Sequence, residues 1–263
     1  MLRILLILLL LAVVAYLLRQ RLRRSRLAVD RQASRRAILE ARVHLWRRLP
    51  AALQDELLER LEQFLLRVPF TGANGLQLTD EMRIVIGAQA CLVTLGEPDY
   101  PFASLHGITV YPGEFVVKEE EHDEDTGVVT EGYRAISGQT LESDRLVFSW
   151  RDVEEAENRD DGYNVVIHEV THFLEHSRPG GDPVARAALL SAHEELQRAV
   201  DRGEQTLLDP YGTEDLTEFL AVAAEVFFER PAELRARHPT LYVLLRDSFR
   251  LDPASWPGVE TPV

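Results

Sequence analysis

The sequence predicts a mainly helical α+β domain with a small β-sheet, preceded by an N-terminal transmembrane helix. Three observations carry this. An apolar run, "MLRILLILLLLAVVAYLL", fills residues 1–18 with Arg3 as its one charge. Through most of the chain beyond it, apolar residues recur at helical spacing. Two short stretches, "GITVYPGEFVV" (107–117) and "DRLVFSW" (144–150), instead have the β-branched and aromatic content of strands.

The first run is at the short end of what spans about 30 Å of hydrocarbon. Arginines follow it at 19, 21, 23, 24 and 26, and no small-residue cleavage pattern follows. The positive-inside rule keeps the arginine side, and the whole domain after it, in the cytoplasm. The expectation is a single-pass anchor (1–18) in a bacterial-type inner membrane, then a basic juxtamembrane and helical segment (19–50). A domain over 51–253 and a tail over 254–263 follow. A peripheral amphipathic segment and an atypical signal peptide are the competing readings of the first run.

Residues 27–50 are rich in Arg, Ala and Leu and read as helix, stopping at Pro50. "AALQDELLERLEQFLLRV" (51–68) is an amphipathic helix, and "FTGANGLQL" (70–78) a loop. "DEMRIVIGAQACLVTLG" (80–96) opens with acids, which suit a helix N-terminus, and closes on Gly96. The stretch 107–117 is a strand broken by a Pro-Gly turn. The acidic run that follows, over 118–125 in "KEEEHDEDTG", lacks the Asp/Asn/Gly spacing of a calcium loop and reads as a solvated excursion. After the strand at 144–150, "RDVEEAENRDDGYN" leads into "NVVIHEVTHFLEH" (164–176). Three more helical stretches, "DPVARAALLSAHEELQRAVDRG", "DLTEFLAVAAEVFFER" and "PTLYVLLRDSFRLD", complete the order.

A length of 263 residues, 46% hydrophobic and 27% charged, allows one substantial core with appendages. The net charge of −14 argues against direct nucleic-acid binding, which needs clustered Lys and Arg on the folded surface. The dense basic cluster, "RQRLRRSR" (19–26), sits beside the apolar run. The single cysteine, Cys91, permits no internal disulfide and reads as a small buried apolar residue.

Chemistry concentrates in 164–176. Helical residues four apart are rotated by about 40° and separated by about 6 Å along the axis. His168 and His172 can therefore present imidazole nitrogens to one ion. Two neutral imidazoles make half of a tetrahedral zinc site. Glu169, turned about 100° from His168, stands beside such a metal, where a general base belongs. This is the HExxH arrangement. Val165, Val166, Ile167, Val170, Phe173 and Leu174 bury the helix, and a metal would satisfy the histidines there. The competing reading is two histidines hydrogen-bonded in a core. Glu175 can accept from a ligand histidine or face solvent.

A catalytic zinc wants three protein ligands plus water. No third histidine follows at short spacing, since 173–178 read "FLEHSR". The source is then "YGTEDLTEFLAVAAEVFFERP" (211–231), an apolar helix with two carboxylates, Glu218 and Glu225, seven apart and on nearly one face. Buried carboxylates need neutralising. Zinc does so for Glu218, and a ligand histidine's outer N–H can do so for Glu225.

With these stretches in view, the chain resembles the Mlc titration factor A family of zinc-dependent peptidases, itself similar to the catalytic domain of anthrax lethal factor. "AQACLVTLG", "VYPGEF", "LVFSWRDV", "DGYNVVIHEVTHFLE", "DPYGTEDLTEFLAVAAEVFF" and "LYVLLRDSF" with its following "DP" carry the resemblance, in the family's order, over most of 50–253. The resemblance implies a zincin-like metallopeptidase domain with zinc on His168, His172 and Glu218 and with Glu169 as catalytic base. It also places the family's tyrosine, seven residues before the ligand glutamate, at Tyr211, whose phenol can donate to a developing oxyanion. Glu175 stands where the family usually has aspartate. Characterised members are soluble, so the N-terminal anchor is a departure.

The reading is a membrane-anchored zinc metallopeptidase acting on peptide or protein substrates, with aminopeptidase action implied by the resemblance. The alternative is a membrane-tethered binding protein that sequesters a regulatory partner, a transcriptional repressor. A structural zinc site is a third reading, opposed by the presence of three rather than four good ligands.

Overall fold

The computed structural model describes residues 16, 20, 30–113, 115–122, 129–136, 138–141, 144–156, 161–177 and 183–259, with 115–141 described through the backbone. Residues 30–42 form helix α1. At Val43 the backbone turns extended (φ −126°, ψ 98°) before α2 (His44–Arg48) begins. The single helix expected over 27–50 is therefore two where it is described. Val43 puts its β-branched side chain into the core, 1% exposed, instead of continuing the turn. Pro50 ends α2 as expected, because a residue before proline is pushed out of the helical region, and Leu49 is extended.

Helix α3 (Ala51–Arg67) buries Leu57, Leu58, Leu61 and Phe64, one stripe at helical spacing. A three-residue strand, β1 (Phe70–Gly72), lies inside the stretch expected as loop. Helix α4 (Asp80–Val93) starts where Thr79 Oγ1 accepts the Met82 N–H at 3.1 Å, with Asp80 and Glu81 in the first turn. Helices α3 and α4 approach closely: a Cβ at Gly87 would lie 2.9 Å from Leu61 Cδ1.

Strand β2 (Gly107–Tyr111) pairs in parallel with β1. The strand expected over 107–117 divides at Pro112, which has no N–H to continue a ladder. Beyond it, β3 (Phe115–His122) pairs antiparallel with β4 (Val129–Ile136) in a separate two-stranded sheet, Phe115 opposite Ile136 and His122 opposite Val129. The acidic run is thus strand over 118–122, and its remainder lies outside the described residues. Strand β5 (Gly138–Leu141) is antiparallel to β6 (Arg145–Ser149), which is parallel to β2. The main sheet has the order β1-β2-β6-β5: three parallel strands and one antiparallel edge.

Helix α5 (Trp150–Ala156) follows β6 directly, and α6 (Val165–Ser177) lies against β5, β6, α4, α5 and α8. The remaining elements are α7 (Pro183–Asp201), a 3₁₀ turn (Pro210–Thr213), α8 (Leu216–Glu229), α9 (Pro231–Arg237), α10 (Pro239–Phe249) and a 3₁₀ turn (Pro253–Ser255). One apolar core joins them all. It reaches past 51–253 at both ends, taking in Leu39, Leu45 and Trp46 before and Trp256 after. Among the described residues, no helix is long and apolar enough to cross a membrane. The anchor expected over 1–18 and the basic cluster at 19–26 lie outside the described residues, Tyr16 and Gln20 apart.

Candidate metal centre

Helix α6 begins at Asn164, whose Oδ1 accepts the N–H groups of Val166 and Ile167, each at 3.1 Å. One turn on, His168 and His172 point their Nε2 atoms at each other across 3.1 Å. Glu218, in the first turn of α8, comes to the same point: its Oε2 is 3.0 Å from His168 Nε2 and 3.3 Å from His172 Nε2. The backbone there is fixed by Asp215, whose Oδ1 accepts the N–H groups of Thr217 at 2.7 Å and Glu218 at 2.9 Å. The sequence pattern expected these three residues to converge, and they do so within 4.8 Å of one another.

The spacing suits a cation. Three donors on a tetrahedron around one zinc ion stand about 3.3 Å apart when each bond is about 2.0–2.1 Å. The edges here, 3.0–3.3 Å, are of that size. Two imidazole nitrogens and a carboxylate oxygen aimed at one point are all satisfied by a single metal ion.

Glu225, two turns along α8, stands behind the cluster. Its Oε1 lies 2.7 Å from His168 Nδ1, so His168 is oriented from both sides. The electrostatics follow from this. Among protein groups alone, burial disfavours a charged His168, but hydrogen bonds to Glu218 and Glu225 outweigh it and push the imidazole up to about 10. Burial works to raise the Glu218 carboxyl, yet His168 and His172 hold it well below the usual carboxylate range. Full burial pushes Glu225 up, against the lowering effect of His168 and of the Asn164 N–H. A metal ion takes over the role of the proton in such a cluster.

Glu169 is buried, 6% exposed, and its charge contributes to holding the His168 proton. Tyr211 sits in the 3₁₀ turn before α8, its ring centroid 6.1 Å from that of His168. Asp209 caps that turn by accepting the Tyr211 N–H at 2.8 Å. Gly212 lets the turn pack tightly, since a Cβ there would lie 3.3 Å from Leu196 Cδ2 and 3.5 Å from Phe219 Cα. Glu175 has a buried Oε2 without a hydrogen-bond partner among the described residues, and His176 bonds back to the His172 carbonyl at 2.9 Å.

Residues 18–250 match the family described as glucose-regulated metallo-peptidase M90. The chain belongs to that family. Among its relatives, a Mlc titration factor A from Pectobacterium atrosepticum is 34% identical, over 78% of this chain and 83% of the relative. An uncharacterized protein of Synechocystis sp. is 31% identical over 82% and 83% of the two chains. A Mlc titration factor A from Yersinia pestis is 28% identical over 76% and 78%. The resemblance read from the motifs is therefore the right one, and the family is a metallo-peptidase family.

Residue patterns missed Asn164, Gln89, Glu229 and His44, which form a buried polar chain behind Glu225. Two signals were available. Asn164 immediately precedes an apolar run, as a helix cap does. Gln89 is a lone amide inside "IVIGAQACLV" and must find a partner there.

Proposed function

We propose that this protein is a membrane-anchored zinc-dependent metallopeptidase whose metal is held by His168, His172 and Glu218. The observation that carries the reading is the convergence of those three donors on α6 and α8, with Glu225 supporting His168 from behind. When bound, the metal supplies a Lewis acid that acidifies a water and polarises a carbonyl. Glu169, one residue from His168 and shielded from solvent, receives the water's proton on its carboxylate and delivers it to the leaving amine. Tyr211, on its capped turn, donates its phenol O–H to the carbonyl oxygen as charge develops there. The closed cap at Asn164 and the cap at Asp215 keep the donors in place through the cycle. The anchor at 1–18, with arginines on the domain side, puts this chemistry at the cytoplasmic face of the inner membrane.

The test is metal content and peptide hydrolysis by the purified full chain, beside two variants. Glu169→Gln is expected to keep one zinc per chain and lose at least about 100-fold in turnover. Glu218→Ala is expected to lose the zinc and the activity together. A fully active Glu169→Gln variant would sink the mechanism.

A second reading rests on the names of two relatives, which describe them as titrating Mlc. By that likeness this chain would bind a regulatory protein such as a transcriptional repressor and hold it at the membrane, with hydrolysis secondary. Zinc uptake without turnover on a broad peptide panel, together with capture of such a regulator by both the native chain and Glu169→Gln, would favour it.

A further inference from the structure

Behind the metal cluster runs a continuous chain of buried polar groups that the peptidase chemistry does not itself call for. It starts at His168 Nδ1, 2.7 Å from Glu225 Oε1. Glu225 Oε2 accepts the backbone N–H of Asn164 at 2.5 Å. The Asn164 side-chain amide donates to Glu229 Oε1 at 2.8 Å, and Glu229 Oε2 stands 2.5 Å from Nε2 of His44 on α2. Asn164 is fully buried, Glu225 and Glu229 nearly so, and His44 closes the chain on the N-terminal side with its side chain 14% exposed.

Asn164 is the hub. Its Nδ2 carries two donors, and both are used, on Glu229 and on Gln89 Oε1 at 2.7 Å. Its Oδ1 accepts twice as the cap of α6, and its carbonyl accepts the N–H of His168 at 3.0 Å. Every polar atom of the residue is therefore engaged, across α4, α6 and α8. Asn164 also separates two buried carboxylates one turn apart on α8, giving a donor to each. Without those donors each carboxylate would keep one described partner, His168 for Glu225 and His44 for Glu229, with less to offset their mutual repulsion.

We infer that Asn164 is a positioning residue for the metal centre: by fixing Glu225 it fixes the ring of His168, and through Glu229 and His44 it makes the N-terminal helix α2 part of the metal's support. This rests on the metallopeptidase reading above. It assigns to α2, more than a hundred residues before the histidines in sequence, a role in how tightly the metal is held. Outer partners of a ligand histidine orient the ring and raise its donor strength, and their loss costs about 10–100-fold in metal affinity.

Asn164→Asp separates positioning from capping. Aspartate caps a helix as well as asparagine does and keeps the backbone N–H to Glu225, but it lacks both Nδ2 donors. It sets a third carboxylate against Glu229, one turn from Glu225, so the carboxylates of α8 are pushed out of place. The measurement is zinc affinity by chelator competition on the full chain in detergent, with the visible absorption of the cobalt-substituted protein as the signature of ligand geometry. Asn164→Asp is expected to weaken zinc by about 10–100-fold and to shift the cobalt bands, with helix content unchanged. Glu229→Gln and His44→Gln, which touch no metal ligand, are expected to weaken zinc several-fold in the same direction, and they carry the test if Asn164→Asp does not fold. Native affinity and native cobalt bands in all variants that fold would overturn the inference while leaving the peptidase reading intact. A native chain that takes up no zinc removable by Glu218→Ala would overturn both.

Discussion

Glu218 and Glu225 are the same residue type, seven apart on one helix, and their surroundings give them opposite tasks. Glu218 lies in the first turn of α8, partly open, with its Oε2 facing two imidazoles. Glu225 is 4% exposed and holds the outer nitrogen of one of them. The two differ in what their loss should do. Removing Glu218 removes a donor, whereas Glu225→Gln keeps the shape and an accepting oxygen but drops the charge that strengthens His168. Glu225→Gln is expected to retain zinc with an affinity lowered about 10–100-fold, read by chelator competition. Unaltered affinity would show that the carboxylate is there for packing alone. The spacing of both carboxylates and of His168 and His172 was legible in the sequence, because helical periodicity fixes which residues share a face; Tyr211, in a 3₁₀ turn, came from the family resemblance alone. Asn164 offered a capping signal, but its link to the site was not legible, because its partners Gln89 and Glu229 lie 75 and 65 residues away and no local pattern ties them together.

At the scale of elements, helices with one apolar stripe were readable, and pairings between distant segments were not. Helices α3, α4, α7 and α8 begin and end near where periodicity and capping residues place them. Strand β1 has three residues, too few to show alternation, and it exists only because β2 lies beside it. Close approach between elements is equally hidden until glycines are seen in place. The end of α4 meets the end of α10 at Gly96, where a Cβ would lie 2.0 Å from the carbonyl oxygen of Phe249 and 2.9 Å from Arg250 Cβ. Both obstacles are at or next to the backbone, so neither can swing aside. Gly96→Ala must therefore part the two helix ends, and an overpacking cost of about 1–3 kcal/mol is expected in denaturant unfolding. A variant as stable as the native chain would mean that the C-terminal helix yields without cost.

Across the whole molecule, one core ties the first described helix to the last described turn, and the C-terminal end is fastened by a polar clamp. Tyr242 on α10, 2% exposed, donates its phenol O–H to Asp252 Oδ1 and accepts the Ala254 N–H at 2.9 Å. That clamp seats the turn carrying Trp256, which the sequence's Pro and Gly content presented as a trailing end. Burial, and then the Asp252 carboxylate, push the phenol above its ordinary value of about 10. A group whose folded pKa is raised stabilises the fold fully below its unfolded pKa and loses that contribution as pH climbs towards the folded value. The native chain should accordingly lose stability above about pH 10, at about 1.4 kcal/mol per pH unit for this group. Cys91 and Tyr100, also raised by burial, steepen the same alkaline limb. Tyr242→Phe removes one share. At neutral pH it is expected to cost about 1–2 kcal/mol, the clamp's hydrogen bonds lost. Above pH 10 the gap between native and variant should shrink, because the phenol ionises freely in the unfolded chain while the buried native phenol is held protonated. A gap that stays constant from pH 7 to 11 would show that the phenol contributes by packing alone, and that Trp256 is held by apolar contact rather than by the clamp.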